Sequence, residues 1–98
     1  MAKYDIYLKP SAVKDMDKIR KHDATAIANA METHLASAPT RESKSRIKRL
    51  KGIEDPDYRL RVGDYRVFYD VSESDAAVDV LRVMHKDETA TYYEELVS

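Results

Sequence analysis

Arg59, Arg61 and Arg66 are the residues of this chain whose type and spacing most suggest chemistry. They fall within Tyr58-Arg59-Leu60-Arg61-Val62-Gly63-Asp64-Tyr65-Arg66-Val67-Phe68-Tyr69. Gly63-Asp64 predicts a two-residue turn with glycine first, as a type II′ turn prefers. Strands leaving that turn pair Val62 with Tyr65, Arg61 with Arg66, Leu60 with Val67 and Arg59 with Phe68. Two arginines then lie directly opposite on one face, with the third diagonal to them. Like charges so placed cost a sheet up to roughly 1 kcal/mol. Folding gains nothing from that arrangement, whereas a phosphate between the guanidinium groups would relieve it, and arginine is suited to bidentate phosphate contact. The plainer alternative is that the arginines splay into solvent or pair with Glu88 or Glu94. Phe68 shares their face and is expected to offer a ring for base stacking unless the carboxy-terminal tail covers it.

Charge is unevenly laid along the chain. The net charge is −1, yet residues 41–69 carry nine basic and five acidic side chains, and residues 70–98 carry two basic and eight acidic. A basic middle third can present a phosphate-binding face on a nearly neutral protein. Ile47-Lys48-Arg49-Leu50-Lys51-Gly52 adds Lys48, Arg49 and Lys51 to the candidate RNA contacts. Cysteine is absent, which excludes disulfides and thiolate metal sites and fits a reducing compartment. The three histidines share no metal-ligand spacing, so neither metal nor cofactor is expected. No apolar run approaches the roughly 18 residues that span a bilayer, and no signal-peptide pattern opens the chain. A cytoplasmic protein with no membrane partner is expected.

Elements must position these groups. Tyr4, Ile6 and Leu8 alternate with polar neighbours as a half-buried strand does. Pro10 suits the first turn of a helix whose apolar positions are Ala12, Val13, Met16 and Ile19. The pattern breaks at Lys21-His22-Asp23, and Asp23 is the expected N-cap of a second helix carrying Ala24, Ile27, Ala28, Met31 and Leu35 inward. After a polar connector comes the arginine hairpin, with Tyr58, Tyr65 and Tyr69 on its core side. Ala76 to Met84 then forms a nearly continuous apolar run, as a central strand requires. The tail around Tyr92-Tyr93 reads as a short helix. One domain over residues 1–98 is expected, an α+β fold of order β-α-α-β-β-β, with a helical hairpin packed on a small, mainly antiparallel sheet.

The hairpin, Arg49-Leu50-Lys51-Gly52 before it and Val80-Leu81-Arg82-Val83-Met84-His85-Lys86 after it together resemble the RelE branch of the RelE/ParE toxins. The resemblance covers essentially the whole chain. It implies a RelE-like fold and the toxin of a type II toxin–antitoxin pair, an endoribonuclease that cuts mRNA in the ribosomal A site through 2′-hydroxyl attack. It also implies a cognate antitoxin that blocks the toxin, and operator DNA bound only by the pair. Carried over residue by residue, Arg59 and Arg61 match the family's basic strand pair, Arg66 its hairpin arginine and Lys86 a basic position after the last strand. Tyr92 matches the carboxy-terminal tyrosine, and His85 stands where many relatives have histidine. Arg61, Arg66 and Lys86 are thereby expected to stabilise phosphorane charge. Some relatives have lysine at the position of Arg59; arginine cannot act usefully as a base, so proton transfer is assigned to His85 and Tyr92. Asp87 and Glu88 occupy a stretch often basic in relatives. The alternatives are a ParE-type inhibitor that binds DNA gyrase without cutting, and a degenerate toxin that retains only antitoxin binding.

Overall fold

The computed structural model describes residues 3–97. Strand β1 (Asp5–Leu8) leads into helices α1 (Pro10–Lys18) and α2 (Lys21–Leu35), followed by strands β2 (Ile47–Arg49), β3 (Tyr58–Val62), β4 (Tyr65–Ser72) and β5 (Ala77–His85). A single 3-10 turn, Lys86–Glu88, joins β5 to helix α3 (Thr89–Val97). No described helix is long and apolar enough to cross a membrane.

Pro10 opens α1, where its missing N–H costs nothing. Asp23 does not cap α2, contrary to expectation: the helix starts at Lys21, with Arg20 in the cap position and no side-chain cap. Asp23 falls instead in the first turn, where its carboxylate faces unpaired N–H groups. There it accepts the Tyr65 hydroxyl at 3.3 Å and lies 3.8 Å from Arg20.

The expected α+β architecture is present, with one more strand than the sequence predicts. Ile47–Arg49 pairs antiparallel with β3, and three residues are too few to display a strand period. The full sheet runs β1-β5-β4-β3-β2. Only β1 against β5 is parallel; the other pairings are antiparallel. The apolar run from Ala76 is therefore an interior strand, paired on both sides, with β4 at the middle of the sheet. Within β5 the register slips between Tyr69↔Val80 and Phe68↔Arg82, leaving Leu81 as an extra residue. That bulge exchanges the faces of the residues beyond it. Val78, Val80 and Val83 thus all join the main core although their numbers do not alternate evenly.

Both faces of the sheet are covered, unequally. On one, α1 and α2 deliver Ala12, Ile27, Met31 and Leu35 onto Ile47, Leu60, Val67, Tyr69 and the three valines. Tyr58 stacks on Tyr69 with ring centroids 5.7 Å apart, and the buried Tyr69 hydroxyl donates to the Pro39 carbonyl at 2.6 Å. Both tyrosines are on the core side, as expected. On the opposite face a smaller cluster forms from Phe68, Met84 and Tyr92 beneath α3. The outer edge of β5 loses its β1 partner after Val80. Asp15 of α1 fills the gap, accepting the Val83 N–H at 2.9 Å and the Arg82 Nε–H at 2.7 Å.

Asp70 at the far end of β4 gives the fold a pH dependence. Burial first, then repulsion from Asp57 and Asp55, pushes its carboxyl up to about 6 against the N–H that Asp57 donates to it. A folded pKa above the unfolded one means that the folded state binds the proton more tightly. Stability from this group is therefore full below about pH 4 and lost as pH rises through about 6. Asp70 is half-buried, so solvent screening reduces the effect to the order of 1 kcal/mol. Asp70→Asn keeps an oxygen for the Asp57 N–H. Urea unfolding should find it no more stable than the parent at pH 4 and more stable at pH 7.

Candidate phosphate-binding face

The hairpin register follows the turn. Gly63 has φ of 56°, and Asp64 is not among the residues with positive φ, as a type II′ turn requires. The ladder pairs Val62↔Tyr65, Arg61↔Arg66, Leu60↔Val67 and Arg59↔Phe68. Alternation then sends Leu60 and Val67 into the main core and Arg59, Arg61 and Arg66 to the other face. Lys48 of β2 pairs with Arg59 and is exposed on that same face. Among the described residues, no ion pair involves Arg59, Arg61 or Arg66. Glu88, one expected partner, is occupied by the His85 N–H at 3.1 Å.

Arg66 is held rather than splayed. Its Nη1 donates to the carbonyls of Gly63 and Tyr65, both at 2.9 Å, which fixes the guanidinium over the turn. Its pKa is lowered by burial first, then by Arg59 and Arg61, while Asp64 opposes the shift. The Arg59 Nε is buried without a hydrogen-bond partner, and the Arg59 side chain engages the Tyr93 hydroxyl. Burial raises the Tyr93 pKa, with Arg59 and Arg66 pulling against it. The result is a half-desolvated cationic face carrying a protonated phenol, an arrangement fitted to hold a phosphate and to donate a proton beside it.

The other six expected site residues are covered or stand apart from this group. Phe68 has 0% exposure and contacts the rings of Tyr92 and Tyr93 at 4.8 and 5.7 Å. It has no free face for a base, because α3 covers it. Tyr92 is itself in that cluster, and burial raises its pKa; the cation opposing that rise is Arg82, whose guanidinium lies 5.5 Å from its ring, and not the hairpin arginines. His85 pairs with Tyr65, so it shares Tyr65's face and meets that ring edge-on at 5.6 Å. Its Nδ1 accepts the Asp87 N–H at 3.1 Å. Arg49 pairs with Tyr58 and lies over its ring at 5.7 Å, again on the other side. Lys51 is exposed in the bend after β2. Lys86 is exposed at the rim, 3.5 Å from Asp64.

Tyr93 is the residue that the sequence did not single out. Two adjacent tyrosines stand in the tail, and helical spacing links Tyr92 to Leu96 in the apolar cluster. The signal available was that Tyr93, a helical step away, must then face the strand edge where the arginines are.

The site is thus a cationic face on a small α+β domain. Residues 6–90 match the model of the ParE toxin family of type II toxin–antitoxin systems, and the chain belongs to that family, within the RelE/ParE superfamily. Among solved structures it is similar to the archaeal RelE–RelB complex of Pyrococcus horikoshii, at 28% identity and TM-score 0.70 over 88% of this chain and 97% of that one. A RelBE toxin–antitoxin complex of Mycobacterium tuberculosis aligns at 24% identity and TM-score 0.74 over 87% and 93%. The isolated Escherichia coli RelE toxin aligns at 21% identity and TM-score 0.71 over 94% of each chain. The last two likenesses concern the fold alone. Comparison with curated protein sequences finds no match.

Proposed function

We propose that this toxin is a cytoplasmic, metal-independent endoribonuclease that cuts mRNA in the ribosomal A site and is held in check by a cognate antitoxin, the pair together binding operator DNA. The observation that carries this reading is the facing pair Arg61↔Arg66 with the Tyr93 hydroxyl set on Arg59 beside it. The 2′-oxygen attacks the adjacent phosphorus, the bond from phosphorus to the 5′-oxygen breaks, and a 2′,3′-cyclic phosphate and a 5′-hydroxyl result. Arg61 and Arg66 stabilise the charge that gathers on the phosphorane oxygens. Lys48 and Arg59 hold the flanking backbone. Tyr93 is protonated in the free enzyme, and Arg59 and Arg66, which oppose the rise that burial gives its pKa, favour its release of that proton to the leaving 5′-oxygen. The 2′-hydroxyl proton passes to water. The acid role thus moves to Tyr93 from His85 and Tyr92.

Induced expression with primer extension on a reporter mRNA tests this. Cuts within codons should appear, and should vanish in Arg61→Ala, Arg66→Ala and Tyr93→Phe. A second reading, a ParE-type inhibitor of DNA gyrase, is favoured by the family match and by His85 and Tyr92 standing away from the arginines. Intact mRNA with trapped gyrase–DNA complexes would establish it instead.

A further inference from the structure

Beside the arginine face stands one acidic residue that the turn does not need. A type II′ turn requires glycine at its first central position and accepts many residues at the second, so the carboxylate of Asp64 is not a folding requirement. The β4–β5 register that pairs Tyr65 with His85 and Arg66 with Met84 continues one step further, because the Lys86 N–H donates to the Asp64 carbonyl at 2.7 Å. Lys86 is thereby placed opposite Asp64, beside the turn over which Arg66 is held. There the Lys86 Nζ lies 3.5 Å from the Asp64 Oδ1. Arg66 feels the same carboxylate, which opposes the lowering of its pKa by burial and by Arg59 and Arg61. The two acidic groups next to Lys86 in the chain are directed elsewhere: Glu88 accepts the His85 N–H, and Asp87 stands by His85 Nδ1 at 3.4 Å.

We infer that Asp64 is a positioning residue that holds the Lys86 ammonium at the turn and so keeps a further cation from the phosphate-binding face. This rests on the reading of that face as an RNA site. An incoming phosphate must compete with the Asp64 carboxylate for Lys86. Bare RNA therefore meets three arginines, Lys48 and a neutralised rim, and its affinity stays low until other contacts add to it. Releasing Lys86 adds one phosphate contact without changing the fold, since glycine followed by asparagine suits the same turn.

The measurement is binding of a 2′-O-methyl oligoribonucleotide, which cannot be cut, to the intact protein over a range of salt concentrations. Asp64→Asn should bind more tightly than the parent, and the slope of log affinity against log salt should steepen by about 0.7, the value of one added single-strand phosphate contact. In the Lys86→Met background the same substitution should leave the slope unmoved and change affinity only slightly, through the charge lost beside Arg66. A steepened slope in that background, or tightening as large as without Lys86→Met, would show plain removal of a negative charge and would overturn the inference. So would an unchanged slope in Asp64→Asn while Arg66→Ala still weakens binding. If neither parent nor Asp64→Asn binds the oligonucleotide at low salt, the RNA reading of the face itself falls.

Discussion

Arg66→Ala is expected to slow mRNA cleavage on programmed ribosomes by about 10²–10³-fold, the loss typical of removing one preorganised donor to a developing oxyanion. The reason lies in how the side chain is held. Two carbonyls of the turn fix Nη1 at 2.9 Å, so the rest of the guanidinium is pointed before substrate arrives and little ordering is left to be done in the transition state. Arg66→Lys keeps the charge but has no planar fork to span the two carbonyls and a phosphate together. It should recover only a small part of the rate. The fold should survive both changes, because removing Arg66 relieves repulsion from Arg59 and Arg61 and leaves the main core intact. The check is a single-turnover rate beside a urea unfolding curve for each variant. A rate within a few-fold of the parent in Arg66→Ala would remove Arg66 from the chemistry.

Phe68→Ala is expected to lower stability by roughly 3–5 kcal/mol, the range for emptying a buried phenylalanine site. Phe68 is wholly buried and is the centre of the smaller cluster, touching Tyr92 and Tyr93. Few other residues hold α3 to the sheet, so the cavity should loosen that helix before the main core yields. Hydrogen exchange should therefore rise first across Thr89–Val97. Toxicity should fall with it, because Tyr93 is carried by the same helix. A variant as stable as the parent but weaker in RNA binding would instead give Phe68 the stacking role that its position among the arginines suggested.

That pair of residues shows what the sequence made legible. Turn chemistry and period-two alternation determine which residues of the hairpin oppose each other, so Arg61↔Arg66 is legible in the sequence alone. Family resemblance and the order of elements gave the architecture. Three things were not readable. A three-residue strand has no period to display, and β2 was read only as a basic stretch. The bulge at Leu81 exchanges faces part-way along β5, so the side on which His85 emerges could not be counted from the strand's beginning. Finally, Phe68, Tyr92 and Tyr93 depend on the angle at which α3 returns over the sheet. The single turn at Lys86–Glu88 sets that angle, through His85 Nδ1 accepting from Asp87 and Glu88 accepting from His85.

The most direct test of the RNase reading is end-group analysis of mRNA on purified ribosomes with an empty A site, incubated with the toxin. The arrangement of Arg61, Arg66 and Tyr93 predicts cleavage in the A-site codon that leaves a 2′,3′-cyclic phosphate and a 5′-hydroxyl, and no cleavage when a 2′-deoxy nucleotide stands at the cut. Intact mRNA under conditions in which the same preparation inhibits gyrase supercoiling would contradict it.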